Sequence, residues 1–311
     1  MNVTKGLAFY TGELEKLEPK LLEPLTSTSW PRDIPVAMGG GFVESIAIPS
    51  ANYFDAGAGE SGLGRGEKND ISQINYELSK ESWRVHNFTR LLKIPYVDNQ
   101  LMKTAGRSLE EILKKGLHMA FDKYVDENVY IGKGSGTTGL VNTPHIPAML
   151  APANNSGQTE WEQKDPDEIL RDVNRVMVEA WRTAEHDPLG LVNHILIPPE
   201  KYAYLATKRI GDAGQVSVLT YLYENNLGIR NNVKLGIFPS RWCIGAGVNG
   251  LDRMVAYVNN KDCIEFDITF PLTRTLTEAS AAHHAYLFAY AAQVSEVKFK
   301  RTQTIAYCDG I

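Results

Sequence analysis

The sequence predicts an α+β protein, and three stretches carry that expectation. Residues 108–127 read as one long amphipathic helix, residues 160–258 alternate short helices with short strands, and residues 264–307 turn to strands. In the first stretch Ser108 precedes Glu111 by three residues, a capping box that satisfies two orphan backbone donors at once. Leu109, Ile112, Leu113, Leu117, Ala120, Phe121, Tyr124 and Val125 then share one face, with Glu110, Lys114, Lys115, Asp122 and Lys123 opposite. That is the stripe of a helix packed on one side, about 30 Å long at ~1.5 Å per residue. A short strand is expected at 129–131. Gly116 stands in mid-helix, where glycine costs ~0.5–1 kcal/mol relative to alanine.

The bulk numbers exclude several classes. A chain of 311 residues, 43% of them hydrophobic, can bury a sizeable core in one to three domains. A formal net charge of -5 argues against a strongly basic, tightly nucleic-acid-binding surface. Cys243, Cys263 and Cys308 are odd in number and far apart, neither a disulfide framework nor a CxxC metal site, which fits a reducing compartment. The N-terminal residues carry no charged-then-apolar signal pattern. The apolar stretch 279–294 is interrupted by His283 and His284 and is short for a membrane span. The expectation is a soluble, cytoplasmic product.

In chain order, residues 1–40 read as an arm without a core of its own. Leu14, Leu17, Leu21 and Leu22 make a short amphipathic piece broken by Pro19 and closed by Pro24, so its apolar residues need a partner surface. Residues 42–56 begin a strand, and Gly57, Gly59, Gly62, Gly64 and Gly66 form a glycine-rich tip. Residues 71–96 read extended, with Ile74, Tyr76 and Leu78 alternating with Asn75, Glu77 and Ser79. Two extended limbs around such a tip make a long hairpin, whose exposed edges call for pairing outside its own domain.

Beyond the long helix, Pro144, Pro147 and Pro152 keep the chain irregular. Asp165 and Pro166 start a second helix as N-cap and N1, with Ile169, Val173, Val176, Met177, Ala180, Trp181 and Ala184 as its stripe. Strands follow at 194–197, 234–238 and 253–258, helices from Pro199 and across 216–223. Ile264, Phe266, Ile268 and Phe270 alternate with polar residues, and Pro271 is expected to end that strand. Two more extended runs are expected at 286–294 and 297–307.

No catalytic constellation emerges. Gly134, Gly136 and Gly139 match G-x-G-x-x-G, but a dinucleotide site needs a helix N-terminus next, and Asn142-Thr143-Pro144 follows instead. The P-loop spacing is absent. On a strand, adjacent His283 and His284 face opposite sides and cannot share a metal. The seven histidines show no HxxxH or HExxH spacing. Glu110 and Glu111 sit in a helix's first turn, where the helix dipole accounts for them.

The order of parts resembles the major capsid proteins of tailed bacteriophages, a fold shared with encapsulins and the herpesvirus capsid floor. The residues that carry the resemblance are Tyr76-Glu77-Leu78 through Ile94-Pro95-Tyr96, the helix ending Ala120-Phe121-Asp122, then Val129-Tyr130-Ile131-Gly132 and Gly139-Leu140-Val141-Asn142. The resemblance implies an N-terminal arm at 1–40, an E-loop at 41–100, a P-domain at 101–150 and 259–311 with a spine helix at 108–127, and an A-domain at 151–258. It implies a non-enzymatic shell subunit of an icosahedral phage head, without cofactor or metal, forming hexamers and pentamers around packaged double-stranded DNA. Its partners would be itself, a separate scaffold protein, the portal, decoration proteins and, non-specifically, the DNA, but no membrane. It would be a virion component assembled in the host cytoplasm. The expected interface residues are Trp30, Arg65, Lys68 and Asp70. Lys68 has no matching cross-link partner, so no covalent cross-link is expected. Gly116 is the candidate for a bend of the spine helix as shells mature. The alternatives are an encapsulin-like compartment shell enclosing protein cargo and a nucleotide-binding enzyme using the loop at 132–139.

Overall fold

The computed structural model describes residues 28–39, 45–46, 50–55, 74–79, 82–104, 108–132, 137–211 and 216–311. Most of the expected arm and the glycine-rich tip, with Arg65, Lys68 and Asp70, therefore lie outside the described residues. The chain begins with a single helical turn, α1 (Trp30–Asp33), and a short strand, β1 (Val36–Met38). Then come β2 (Ser45–Ile46), β3 (Ser50–Asp55), β4 (Ile74–Ser79), β5 (Ser82–Trp83) and β6 (Val85–Pro95). β3 pairs antiparallel with β4 from Ser50↔Ser79 to Asp55↔Ile74, and β2 pairs with β5. These are the two limbs of the expected hairpin.

After α2 (Tyr96–Thr104) comes the long helix, α3 (Leu109–Ile131). The Ser108 hydroxyl accepts the Glu111 amide at 3.3 Å, as the capping signal requires. The other end corrects the sequence reading, which stopped the helix at 127 and placed a strand at 129–131. Val129, Tyr130 and Ile131 are helical. Their β-propensity is overridden because Leu117, Phe121, Val125 and Val129 continue one buried stripe at every fourth position, with Val125, Val129 and Tyr130 fully buried. The helix stops at Gly132, whose φ of 74° leaves the helical region while its amide bonds to the Asn128 carbonyl at 3.1 Å.

The chain then folds back over that helix end. The Leu140 and Val141 amides donate to the Val129 and Tyr130 carbonyls at 2.9 and 3.0 Å. The Asn142 side-chain amide donates to the Ile131 carbonyl at 2.7 Å. Gly139 lies so close that a Cβ there would fall 2.3 Å from the Tyr130 carbonyl carbon. Next are β7 (Ala148–Leu150), α4 (Pro166–Thr183), β8 (His194–Ile197), α5 (Pro199–Thr207), α6 (Val218–Asn225), α7 (Leu227–Arg230), β9 (Gly236–Pro239) and β10 (Arg253–Tyr257). α4 carries the full capping box between Asp165 and Glu168, with Pro166 in its first turn.

The last part is β11 (Ile264–Ile268), β12 (Phe270–Ser280), β13 (Ala285–Ser295), β14 (Lys298–Phe299) and β15 (Ile305–Asp309). Pro271 does not end the sheet structure here. It falls in a register shift between Phe270 and Thr273, where the missing N–H costs no ladder bond. The expected single run at 297–307 is two short strands separated by a 3-10 turn at Thr302–Thr304. His283 and His284 occupy the turn between β12 and β13 rather than a strand.

A five-stranded sheet in the order β7-β15-β10-β8-β9 organises the molecule. Its strands alternate between two cores. Val255, Tyr257, Ile305, Tyr307 and Leu196 face the core built on α3, while Met254, Ala256, Ala306, Cys308, Ile195 and Ile197 face the core built on α4. The sheet β12-β13-β6 covers α3, with the Phe88 ring 5.3 Å from Phe121 and 5.1 Å from Tyr124. β1 pairs in parallel with β11, and β11 with β14.

Two glycines give opposite expectations. Gly116 is exposed in an unbroken helix and a Cβ would meet nothing within 4 Å, so Gly116→Ala stabilises the protein by ~0.5–1 kcal/mol. Gly139→Ala forces backbone apart and destabilises by roughly 1–3 kcal/mol. Denaturant unfolding of both variants checks the pair, and a harmless Gly139→Ala would refute the packed helix end.

Candidate arm-anchoring site

Residues 28–38 have no core of their own, and their polar groups show what holds them. Asp33, at the end of α1, is fully buried. A carboxylate removed from water costs several kcal/mol unless it is paired and hydrogen-bonded, and this one is both. Oδ1 accepts from Arg32 Nε at 2.5 Å and from His194 Nε2 at 3.1 Å. Oδ2 accepts from Arg32 Nη2 at 2.9 Å and from the Tyr130 hydroxyl. The Asp33 carbonyl accepts from the Tyr257 hydroxyl. To donate, His194 Nε2 carries a proton. Its Nδ1 lies 3.4 Å from the Asn259 amide nitrogen, and its ring stacks on Phe238 at 4.6 Å.

Burial raises the pKa of Asp33, but the hydrogen bonds from His194, Arg32 and Tyr130 outweigh it and hold the carboxyl below its ordinary value. Burial, then the Asp33 charge, pushes Tyr130 and Tyr257 up, so both stay neutral donors. Burial alone pushes the Cys308 thiol up to about 12 despite nearby Lys164 and Arg175, and all three cysteines are free and buried.

A second buried carboxylate on α3 completes the anchor. Asp126 accepts from the Ser29 amide at 3.0 Å, Trp242 Nε1 at 2.8 Å and Arg241 Nη2 at 3.2 Å. The Ser29 and Tyr130 hydroxyls bond at 2.9 Å. Arm, long helix, five-stranded sheet and the segment around residue 241 thus meet at two carboxylates. An open cleft of about 670 Å³ lies beside them, lined by Ser29, Pro31, Arg32, Pro199, Pro239 and Arg241. The arrangement holds segments together. Among the described residues no group of three or more His, Cys, Asp or Glu side chains could hold a metal, and no helix is long and apolar enough to cross a membrane.

Of the residues singled out in the sequence, Trp30 packs its indole against Phe266 of its own chain, ring centroids 6.5 Å apart, within the α3 core. The glycine loop closes the end of α3 through Gly139 and Asn142, and the next regular element after it is β7, not a helix. Glu110 pairs with Arg274 of β12 at 2.9 Å. Asp33, Asp126 and His194 escaped the sequence reading. The one available signal was His194, a lone polar residue opening the strand Ile195-Leu196-Ile197, where a buried imidazole needs a partner.

A docked arm, a projecting hairpin, a long helix and one sheet shared by two cores define a subunit of the tailed-phage capsid class. Solved structures share this fold. The capsid of Myoviridae phage XM1 matches with a TM-score of 0.76 at 14% identity, over 96% of this chain and 97% of that one. The capsid of a native GTA particle matches at 0.61 and 13% identity, over 99% of each chain. A structure of Mycobacterium phage Bobi matches at 0.59 and 10% identity, again over 99% of each. No curated sequence matches. The family model of the major capsid protein matches residues 59–311, and the chain belongs to that family. It is a structural subunit of an icosahedral phage head, a virion component that self-assembles into capsomers.

Removing the Asp33 charge strands its donors. Asp33→Asn destabilises by about 2–3 kcal/mol, toward the low side for a broken buried pair because Arg32 is partly exposed. With its folded pKa lowered, the contribution of Asp33 is present above the ordinary value of 3.8 and lost as pH falls below it. Urea unfolding of wild type and variant at neutral pH and at about pH 3 checks both: the gap between them narrows in acid. A gap that stays constant refutes the ionised anchor.

Proposed function

We propose that this chain forms hexamers and pentamers of a head that encloses packaged double-stranded DNA, assembled in the host cytoplasm. The observation that carries the proposal is the β3–β4 ladder, two strands paired only with each other. A lone two-stranded hairpin is marginal in water, so a neighbouring copy supplies its missing surface. On this reading residues 1–40 are the arm and 41–100 the E-loop. Residues 101–150 with 259–311 form the peripheral P-domain, and 151–258 the axial A-domain. Arg65, Lys68 and Asp70 act at the hairpin tip. The net charge of -5 suits a wall that contains DNA without gripping it, since each phosphate-binding cation would strengthen retention. A separate scaffold protein, a portal and decoration proteins complete the particle, and no step of the role is catalytic. Gly116 is the point at which the long helix bends during expansion.

Negative-stain microscopy and light scattering of purified protein test the assembly, with rings or closed shells as the expected result and a persistent monomer as the refutation. Nuclease-protected DNA in particles from infected cells separates a phage head from a compartment holding protein cargo. Boiling assembled particles in denaturant leaves one monomer band, because no covalent cross-link forms. A ladder of multimers would overturn that point. Gly116→Ala slows expansion on this reading, and expansion at the wild-type rate would return Gly116 to a neutral surface position.

A further inference from the structure

The five-stranded sheet ends, on one side, in two features that nothing in the arm anchor uses. At the β7–β15–β10 margin, Leu150, Ile244, Val248 and Leu251 are 63%, 55%, 56% and 40% exposed. They surround Asp309: Leu150 is its register partner in β7, and the Val248 amide donates to its Oδ2 at 2.9 Å. These apolar side chains stand on a fixed support. Arg253 holds Asp309 with two bonds of 2.7 and 2.9 Å, and Asp252 accepts the Gly245 amide at 3.0 Å. The Gly247 amide closes the loop on the Leu251 carbonyl at 2.8 Å. Preorganised apolar surface of this kind binds without an ordering cost, and a monomer gains nothing from displaying it.

At the same end of the sheet, across β8 and β9, lies the cleft walled by Pro31, Pro199 and Pro239 and lined by Arg32 and Arg241. Both features sit at the C-terminal ends of β8, β9 and β15 and the start of β10, because β9 runs parallel to β8 and β10 antiparallel to both β8 and β15. They are on opposite margins, about 15–20 Å apart at ~4.8 Å per strand. One is a convex apolar lip flanked by half-buried Asp252, the other a concave apolar cleft with two guanidinium groups. Shape and charge therefore complement each other between different sides of one chain. Such a pair does not close a two-fold dimer. It joins copies head to tail, which gives rings when the rotation closes.

We infer that the lip of residues 150 and 244–251 seats in the Pro199–Pro239 cleft of the next copy of this chain, and that this head-to-tail contact closes the capsomer ring. The inference rests on the assembly reading above. Its partner is a second copy, chosen because the chain self-assembles and because the acidic lip and basic cleft match. The arginines serve both contacts: each donates to its own chain's buried aspartate and turns its remaining donors to the cleft.

Two variants test it in mixture. Leu150→Asp with Val248→Asp puts charge on the lip. Pro199→Glu puts a carboxylate in the cleft at the first position of α5, where acidic residues suit the helix dipole. Sedimentation of each alone gives monomer and loss of rings. Mixed one to one they give a dimer that grows no further, since only one intact lip and one intact cleft remain to meet. That dimer also proves both variants folded. Rings from the lip variant at wild-type yield, or a mixture that stays monomeric while wild type assembles, overturn the contact and leave the assembly reading standing. A wild type that stays monomeric overturns both.

Discussion

A long helix that ends inside a protein leaves its last carbonyls without intrahelical partners. The structure depends on how α3 meets that constraint. Residues 139–142 supply three of the missing donors to Val129, Tyr130 and Ile131. They can do so because Gly139 has no Cβ and the chain can lie against the helix backbone. The same segment is then held from the other side: the Tyr307 hydroxyl donates to the Leu140 carbonyl at 2.7 Å, and Arg253 to the Val141 carbonyl at 2.7 Å. Closing one helix end thus ties the long helix to β10 and β15, hence to both cores.

The buried charges follow the same logic. Asp33, Asp126 and Asp309 are each taken out of water and each surrounded by donors from segments distant in sequence. A fully satisfied buried carboxylate adds little net stability against an apolar replacement. It does fix which segments meet, because only one docking geometry satisfies every donor. For the arm this matters more than strength. Its short β1 and single-turn α1 bury little apolar surface, so the register of the arm is set by polar groups. A subunit of an assembling shell needs its arm in one defined place before neighbours arrive.

Where periodicity decides structure, the sequence was legible. The Ser108 cap, the α4 capping box at Asp165, the hairpin limbs and the alternation after Ile264 all appear where they were read. The misses have physical causes. Val129-Tyr130-Ile131 has strand-like composition, and only burial against a second core keeps it helical. Pro271 looked like a strand end because nothing in a single chain announces a bulge that can accept it. The arm anchor was nearly invisible. A buried aspartate differs from a surface one only through partners at separations of 97 and 161 residues, and no local pattern encodes those. The G-L-V-N segment is the instructive middle case, since it was read as a family likeness and only the structure explains why those residue types stand there.

β10 and β15 turn alternate side chains toward two different cores, and their pairing runs from Arg253↔Asp309 to Tyr257↔Ile305. A slip of one residue would send Tyr307 toward the α4 side and Ala306 toward the α3 side, spoiling both cores together. There is a consequence for a chain still on the ribosome. One translated only as far as residue 300 possesses every helix and the whole hairpin, yet each of its cores is open along the missing strand. Such a nascent chain exposes apolar surface on both faces of the sheet and holds no docked helix end. Premature joining of half-made subunits is thereby discouraged, and a stalled or truncated product is marked for degradation by the surface it cannot hide.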